Sequence, residues 1–266
     1  GGNYPTGTSN VAIGDTALDD GSLSGGFNTA VGSGALSANT SGAQNTAVGA
    51  TSSDANTSGS YNAGFGQSSL GSNTTGSRNS GIGRGALAAN TTASDNTALG
   101  YNALSANTTG NALVAVGGNA LDANTTGADN TALGYNALGA NTTANSNTAV
   151  GGSALTTNTT GANNTATGYL ALQSNTTGAD NVGIGYTALR YNTTASNNTA
   201  VGYAALGATT TGTQNVALGY ATGDGNQTGN YNTFIGAQTG RSTTTNVNTF
   251  IGYTAGFYVS SGAKNP

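Results

Sequence analysis

One short phrase recurs down the chain, and its spacing constrains the fold more than any other feature. In its commonest form, Asn-(Thr/Val)-(Ala/Gly)-apolar-Gly, it begins at Asn10, Asn28, Asn45, Asn62, Asn79, Asn96, Leu113 (in place of Asn), Asn130, Asn147, Asn164, Asn181, Asn198, Asn215, Asn232 and Asn248. Successive starts lie 17 residues apart, apart from a first step of 18 and a last of 16. With the unit numbered 1 to 17, position 5 is Gly in every copy from Gly14 to Gly252. A fixed period of this length marks a stacked-repeat architecture, in which each unit buries apolar side chains against its neighbours.

Position 4 is apolar in every unit except that of Thr167, and position 2 is Thr, Val, Ser or Ala. Position 3 is Ala or Gly until the last two units, where it is Phe234 and Phe250. Such alternation predicts a short strand with positions 2 and 4 inward and position 3 outward, ended by the invariant Gly. Position 9 is Leu in eleven units, from Leu18 to Leu206, and predicts a second short strand with its Leu inward. Repeated Gly, Asn and Thr would break a helix in every unit. The reading is an all-β fold, a parallel β-solenoid of about fifteen 17-residue coils, stacked at the ~4.8 Å strand spacing.

Regular coils span 10–214, after a connector or cap at 1–9. From 215 to 257 the Ala-Leu pair gives way to Thr222-Gly223, Thr239-Gly240 and Ala255-Gly256, and Phe250, Tyr253, Phe257 and Tyr258 gather. That stretch is read either as a neck or docking region or as an ordinary solenoid cap, with 258–266 as a tail. The chain starts at Gly1 instead of Met, as expected of a chain that has lost a leader or been excised from a longer one.

Gly, Thr, Ala and Asn make up 170 of the 266 residues, so each coil has few large side chains to bury. A second surface is therefore expected to help hold the coils, which points to an oligomer. The candidate oligomer face is the small position-3 column, Ala98, Ala115, Ala132, Ala149 and Ala166, with Phe234 and Phe250 at its end. The alternative is that position 3 lies under a loop of the same chain.

Charged residues are 5% of the chain, and its five bases are scattered, so no basic footprint for nucleic acid is expected. No apolar run is long enough for direct membrane insertion as a helix. Cys, His, Met, Trp and Glu are absent, which removes thiol, imidazole and most metal chemistry. Asp95, Asp129 and Asp180 share position 17, but they lie two and three coils apart, too far for a carboxylate dyad. Asp15, Asp19 and Asp20 form at best a weak oxygen site. The expectation is a non-enzymatic chain without catalytic residues, metal or cofactor.

Three columns could meet something outside the chain. Tyr101, Tyr135, Tyr169, Tyr186, Tyr203 and Tyr220 share position 6, where an exposed aromatic stripe suits a cell-surface glycan; the alternative is that they cover a corner. Position 12 begins an Asn-x-Ser/Thr sequon at Asn90, Asn107, Asn124, Asn141, Asn158, Asn175 and Asn192, among others, and these are glycosylation candidates or else corner residues satisfying their own turn. The Thr pairs that follow, Thr74-Thr75 through Thr193-Thr194, form an array that could order ice.

Asn10-Val-Ala-Ile-Gly14, Asn181-Val-Gly-Ile-Gly185 and Asn215-Val-Ala-Leu-Gly219 resemble the repeated core of the YadA-like heads of trimeric autotransporter adhesins. The fuller phrase at Asn130 to Thr143, with Asn232-Thr-Phe-Ile-Gly236 and Asn248-Thr-Phe-Ile-Gly252, is similar to repeats of phage-type tail-fibre proteins. The resemblance covers about Asn10 to Phe257. It implies a left-handed β-roll assembled as a homotrimer, extracellular, on a cell surface or on a virion, and serving attachment to a receptor. The adhesin heads have shorter repeats than this chain. A filament subunit stacking end to end and an ice-binding solenoid are the two alternatives.

Overall fold

Every strand is three residues long because position 5 ends it. Gly49, at φ +135°, holds a conformation that side chains with a Cβ rarely adopt, and a Cβ there would fall 2.6 Å from the carbonyl of Gly66 in the next coil. The invariance of position 5 is therefore both conformational and steric. The strands that precede it occupy positions 2 to 4, from β1 (Val11–Ile13) to β7 (Val114–Val116) and from β8 (Thr131–Leu133) to β15 (Thr249–Ile251).

The computed structural model describes residues 8–257 and 259. It is an all-β parallel β-solenoid with a 17-residue turn, and it forms two compact units divided after Asn130. The first unit carries β1 to β7 and the second β8 to β15. Within each, consecutive strands pair in parallel with like positions opposed, as in Thr29↔Thr46, Ala30↔Ala47 and Val31↔Val48, or Thr148↔Thr165, Ala149↔Ala166 and Val150↔Thr167.

Among the described residues the anticipated second strand is absent. Positions 6 to 11 form turns, and Leu at position 9 takes a left-handed conformation, as at Leu36 (φ 51°), Leu104 (φ 54°) and Leu189 (φ 51°). Positions 7 and 17 are left-handed too, for example Asn102 (φ 53°) and Gln44 (φ 59°). A left-handed Leu is unfavourable by roughly 1–2 kcal/mol. Here it turns the peptide planes so that N–H and C=O groups meet the adjacent coils outside the strands. Leu104 N donates to Ala120 O at 3.0 Å, Thr74 N to Thr91 O at 2.8 Å and Gln44 N to Gly26 O at 3.0 Å. The inward direction of Leu is as expected, and from Leu36 to Leu206 these leucines are fully buried.

The strand faces are the reverse of the sequence expectation. Ala98, Ala115, Ala132, Ala149, Ala166 and Phe234 are at most 1% exposed, and Phe250 is half-buried. The small column at position 3 thus lines the interior and is not an outer oligomer face. Positions 2 and 4 point outward. The physical reason is space: Leu at position 9 already fills the cross-section, leaving room for only Ala or Gly opposite. In the last coils the exchange is visible, because Gly223 and Gly240 replace Leu and the Phe234 ring occupies the volume, 2.7 and 2.5 Å from where their Cβ atoms would sit. Gly256 meets Phe250 in the same way, and the two Phe rings stack with centroids 5.8 Å apart. The aromatic residues Phe234 and Phe250 are accordingly core fillers. Tyr258, and nearly all of the 1–9 connector and the 258–266 tail, lie outside the described residues.

Two buried Asn columns complete each interior. At position 1, Asn45 Nδ2 donates to Gly59 O at 2.8 Å while its Oδ1 accepts from the backbone N–H of Asn62 at 2.9 Å. Side-chain amides also bond directly in the later coils, as Asn215 Nδ2 does to Asn198 Oδ1 at 3.1 Å. Leu113 keeps the donor part, with its N–H on Asn96 Oδ1 at 2.9 Å, but brings no amide. At position 12, each amide spans two coils: Asn175 Nδ2 reaches Asn158 Oδ1 at 2.8 Å and Gly178 O at 2.9 Å.

Candidate functional site

The reversal of the strand faces sets out the most distinctive surface. Along each unit, positions 2 and 4 present a ladder of Thr, Val, Leu, Ile and Phe, with Ala63 and Ser80 at two places, without a single charged side chain. Ile82, Leu99 and Val114 in the first unit are 37–44% exposed, and Leu133, Ile184 and Leu218 in the second 38–48%. An uncharged outward sheet face of this kind is normally covered, because surfaces left open to water carry Lys, Pro or other interruptions against sticking.

The position-6 tyrosines are exposed, as a contact stripe requires. Tyr169, Tyr186, Tyr203 and Tyr220 stack on one another, with centroids 5.7, 5.2 and 5.2 Å apart and planes within 28°. Rings packed this closely cover each other's faces and leave edges and hydroxyls outward. Tyr135 stands apart, and Tyr101 lies under the Arg84 guanidinium at 5.8 Å. The stripe therefore offers a polar edge more than a set of flat sugar platforms.

The sequons do not reach the surface. Asn90, Asn107, Asn124, Asn141, Asn158, Asn175 and Asn192 are fully buried. The Nδ2 of Asn90 is held by Asn73 Oδ1 at 2.8 Å and Ala93 O at 3.0 Å, and that of Asn192 by Asn175 Oδ1 at 2.8 Å and Ala195 O at 3.0 Å. A glycan would have to replace the ladder, so the glycosylation reading gives way to an interior one. The sequence signal was the lockstep of Asn at position 12 with the small residue at position 15 whose carbonyl it binds.

The charged residues are spread over the surface. Asp20 accepts from Ser22 N at 2.8 Å, and its side-chain and backbone bonds to Ser22 hold its carboxyl below the ordinary range. Arg78 and Asp95 form a bidentate pair at 2.6 and 2.9 Å, whose hydrogen bonds lower the acid and raise the base. Burial pushes Asp54, Asp122 and Asp224 upward. Among the described residues no three acids gather as a metal site, and no helix is long and apolar enough to cross a membrane.

The one large residue of position 11 among the described residues is Tyr191, missed by the sequence reading. Its neighbours in that column are Ser174 and Ala208. Depressions of about 480 and 110 Å³ adjoin its ring. Comparison of the chain with protein-family models, curated proteins and solved structures finds no match. The class established by the fold is a parallel β-solenoid repeat protein.

Proposed function

We propose that the chain is a structural and adhesive segment, the head or shaft of an extracellular homotrimeric attachment fibre, with no catalytic role. The observation that carries this reading is the uncharged aliphatic ladder at positions 2 and 4. A partner that covers it must repeat at the same strand spacing, and a second copy of this chain does so without any new surface having to evolve. The resemblance to adhesin heads and tail-fibre repeats supports three copies, a cell-surface or virion location, and a glycan or other receptor as the partner.

The regular Thr at position 2 beside the position-4 aliphatics favours a second reading, ice binding, because it is a periodic array of methyl and hydroxyl groups on a strand face. Light scattering on the purified chain separates the two. The fibre reading expects three times the 25.5 kDa of one chain, and little ice-shaping. A stable single chain with thermal hysteresis refutes it in favour of ice binding.

A further inference from the structure

Tyr191 breaks a rule of its own column. Position 11 is Ala in seven of the fifteen coils, as at Ala106, Ala140 and Ala208, Ser or Thr in four, and Asp20 and Gly225 in two more. The column's other Tyr, Tyr258, lies outside the described residues, so among the described ones Tyr191 is the one aromatic ring on a floor of small residues. The ring is 49% exposed, unlike the stacked Tyr186 and Tyr203 in having no aromatic partner. One depression, about 480 Å³, is lined by Tyr191, Ser174, Ala208, Thr193, Thr210 and Gln227. That volume lies within the range of small-ligand sites.

The smaller depression is open to the acid of a neighbouring coil. Gly207 leaves room for the Asp224 carboxylate, whose Oδ1 lies 2.8 Å from where a Gly207 Cβ would be. Arg190 rests against the Tyr191 ring at 5.0 Å while its Nε donates to Gln173 Oε1 at 3.1 Å. The Thr193 and Thr210 hydroxyls donate to Thr210 O and Gln227 O at 3.2 Å and keep their lone pairs free to accept. An aromatic wall, small-residue floor, carboxylate, amide and hydroxyl rim match the two surfaces of a sugar: an apolar C–H face and an equator of hydroxyl groups.

We propose that Tyr191 and its two depressions bind a neutral glycan, one hexopyranose ring packing against the phenol and its hydroxyl groups bonding to Asp224, Gln227 and Thr210. Arg190 positions the ring by holding Tyr191 from one side. The site uses columns 7, 10, 11 and 13, none of which belongs to the outward strand ladder. It deepens the attachment reading yet stands apart from the trimer, since a chain of any assembly size that binds sugar at Tyr191 satisfies it.

The test is saturation-transfer NMR of the intact chain with lactose, maltose, cellobiose and mannobiose. At least one disaccharide is expected to receive saturation on its ring protons. Tyr191→Ala, which installs the residue already present at Ala140 and Ala208, should weaken that binding at least about tenfold. Tyr191→Phe should retain it, and Tyr135→Ala, in the other column, should bind as the parent does. Circular dichroism confirms that each variant is folded. No binding up to about 10 mM sugar, or equal binding by Tyr191→Ala, overturns the proposal.

Discussion

Thr209 and Thr243 interrupt the position-12 amide ladder, and repairing the break at Thr209 should stabilise the second unit. In the coil that starts at Asn198 the ladder residue is Thr209, whose Oγ1 donates to Asn226 O at 2.7 Å. Thr209 has no amide to offer backward, and Asn192 Oδ1 is left buried with no donor. An unsatisfied buried acceptor costs about 1–3 kcal/mol. The backbone at Thr209 already matches its neighbours, with its N–H on Leu206 O at 3.1 Å as Asn192 N is on Leu189 O. In Thr209→Asn the new Nδ2 would reach Asn192 Oδ1, and the new Oδ1 would accept from Asn226 Nδ2, which now donates to Gly229 O at 3.1 Å. Against this stands the lost Thr209 hydroxyl bond, worth about 1 kcal/mol. The net gain expected is about 1–2 kcal/mol, a factor of roughly 5–30 in local opening. Hydrogen exchange of peptides covering 181–230 should slow by that factor, and the urea midpoint of the unit should rise. Asn175→Thr should show the reverse, orphaning Asn158 Oδ1 in a sound ladder. If Thr209→Asn exchanges no more slowly than the parent, or Thr209→Val matches it, the ladder is not a source of stability.

Leu155→Ala should cost about 2–5 kcal/mol in urea unfolding, because Leu155 is fully buried and the small facing residues cannot close the void. Gly185→Ala should be destabilising by more than the roughly 1–3 kcal/mol of its backbone strain, since a Cβ at φ +136° also meets Gly202 O at 2.3 Å; the same unfolding experiment reads it. Burial raises the Asp122 carboxyl, so the folded chain holds that proton more tightly than the unfolded one. Its charge therefore costs stability at neutral pH, and the cost fades as pH falls through the raised value toward 3.8. Asp122→Asn should then unfold at higher urea than the parent near pH 7 and at the same urea at about pH 3. Mass spectrometry of the folded chain made in a glycosylating host should find Asn107 and Asn158 unmodified.

The repeat, the strand at positions 2 to 4 and the inward Leu were legible because each follows from period and side-chain size. The faces of the strand were not. Size within the triplet argues for burying Val, Leu and Ile, whereas the interior is already filled from position 9. The correct signal was an exchange between distant positions, Phe234 with Gly240 and Phe250 with Gly256, which only makes sense if positions 3 and 9 share one space. The turn geometry was hidden for another reason: Leu is a poor left-handed residue, and only the inter-coil hydrogen bonds from Leu36, Leu104 and Leu189 account for it there. The sequons misled because Asn and Thr satisfy buried backbone as readily as they mark a surface. Tyr191 was legible as the one large residue of its column before the last coil, where Tyr258 stands, but its depressions depend on the small residues of three neighbouring coils.

In the proposed fibre, copies of the chain meet through the outward ladder at positions 2 and 4. The most direct measurement is oxidative cross-linking of single-cysteine variants of this cysteine-free chain, comparing Val150→Cys or Ile184→Cys at position 4 with Tyr135→Cys at position 6. Covalently linked chains are expected from the position-4 variants and none from Tyr135→Cys. Efficient linking at Tyr135→Cys with none at position 4 would contradict that arrangement.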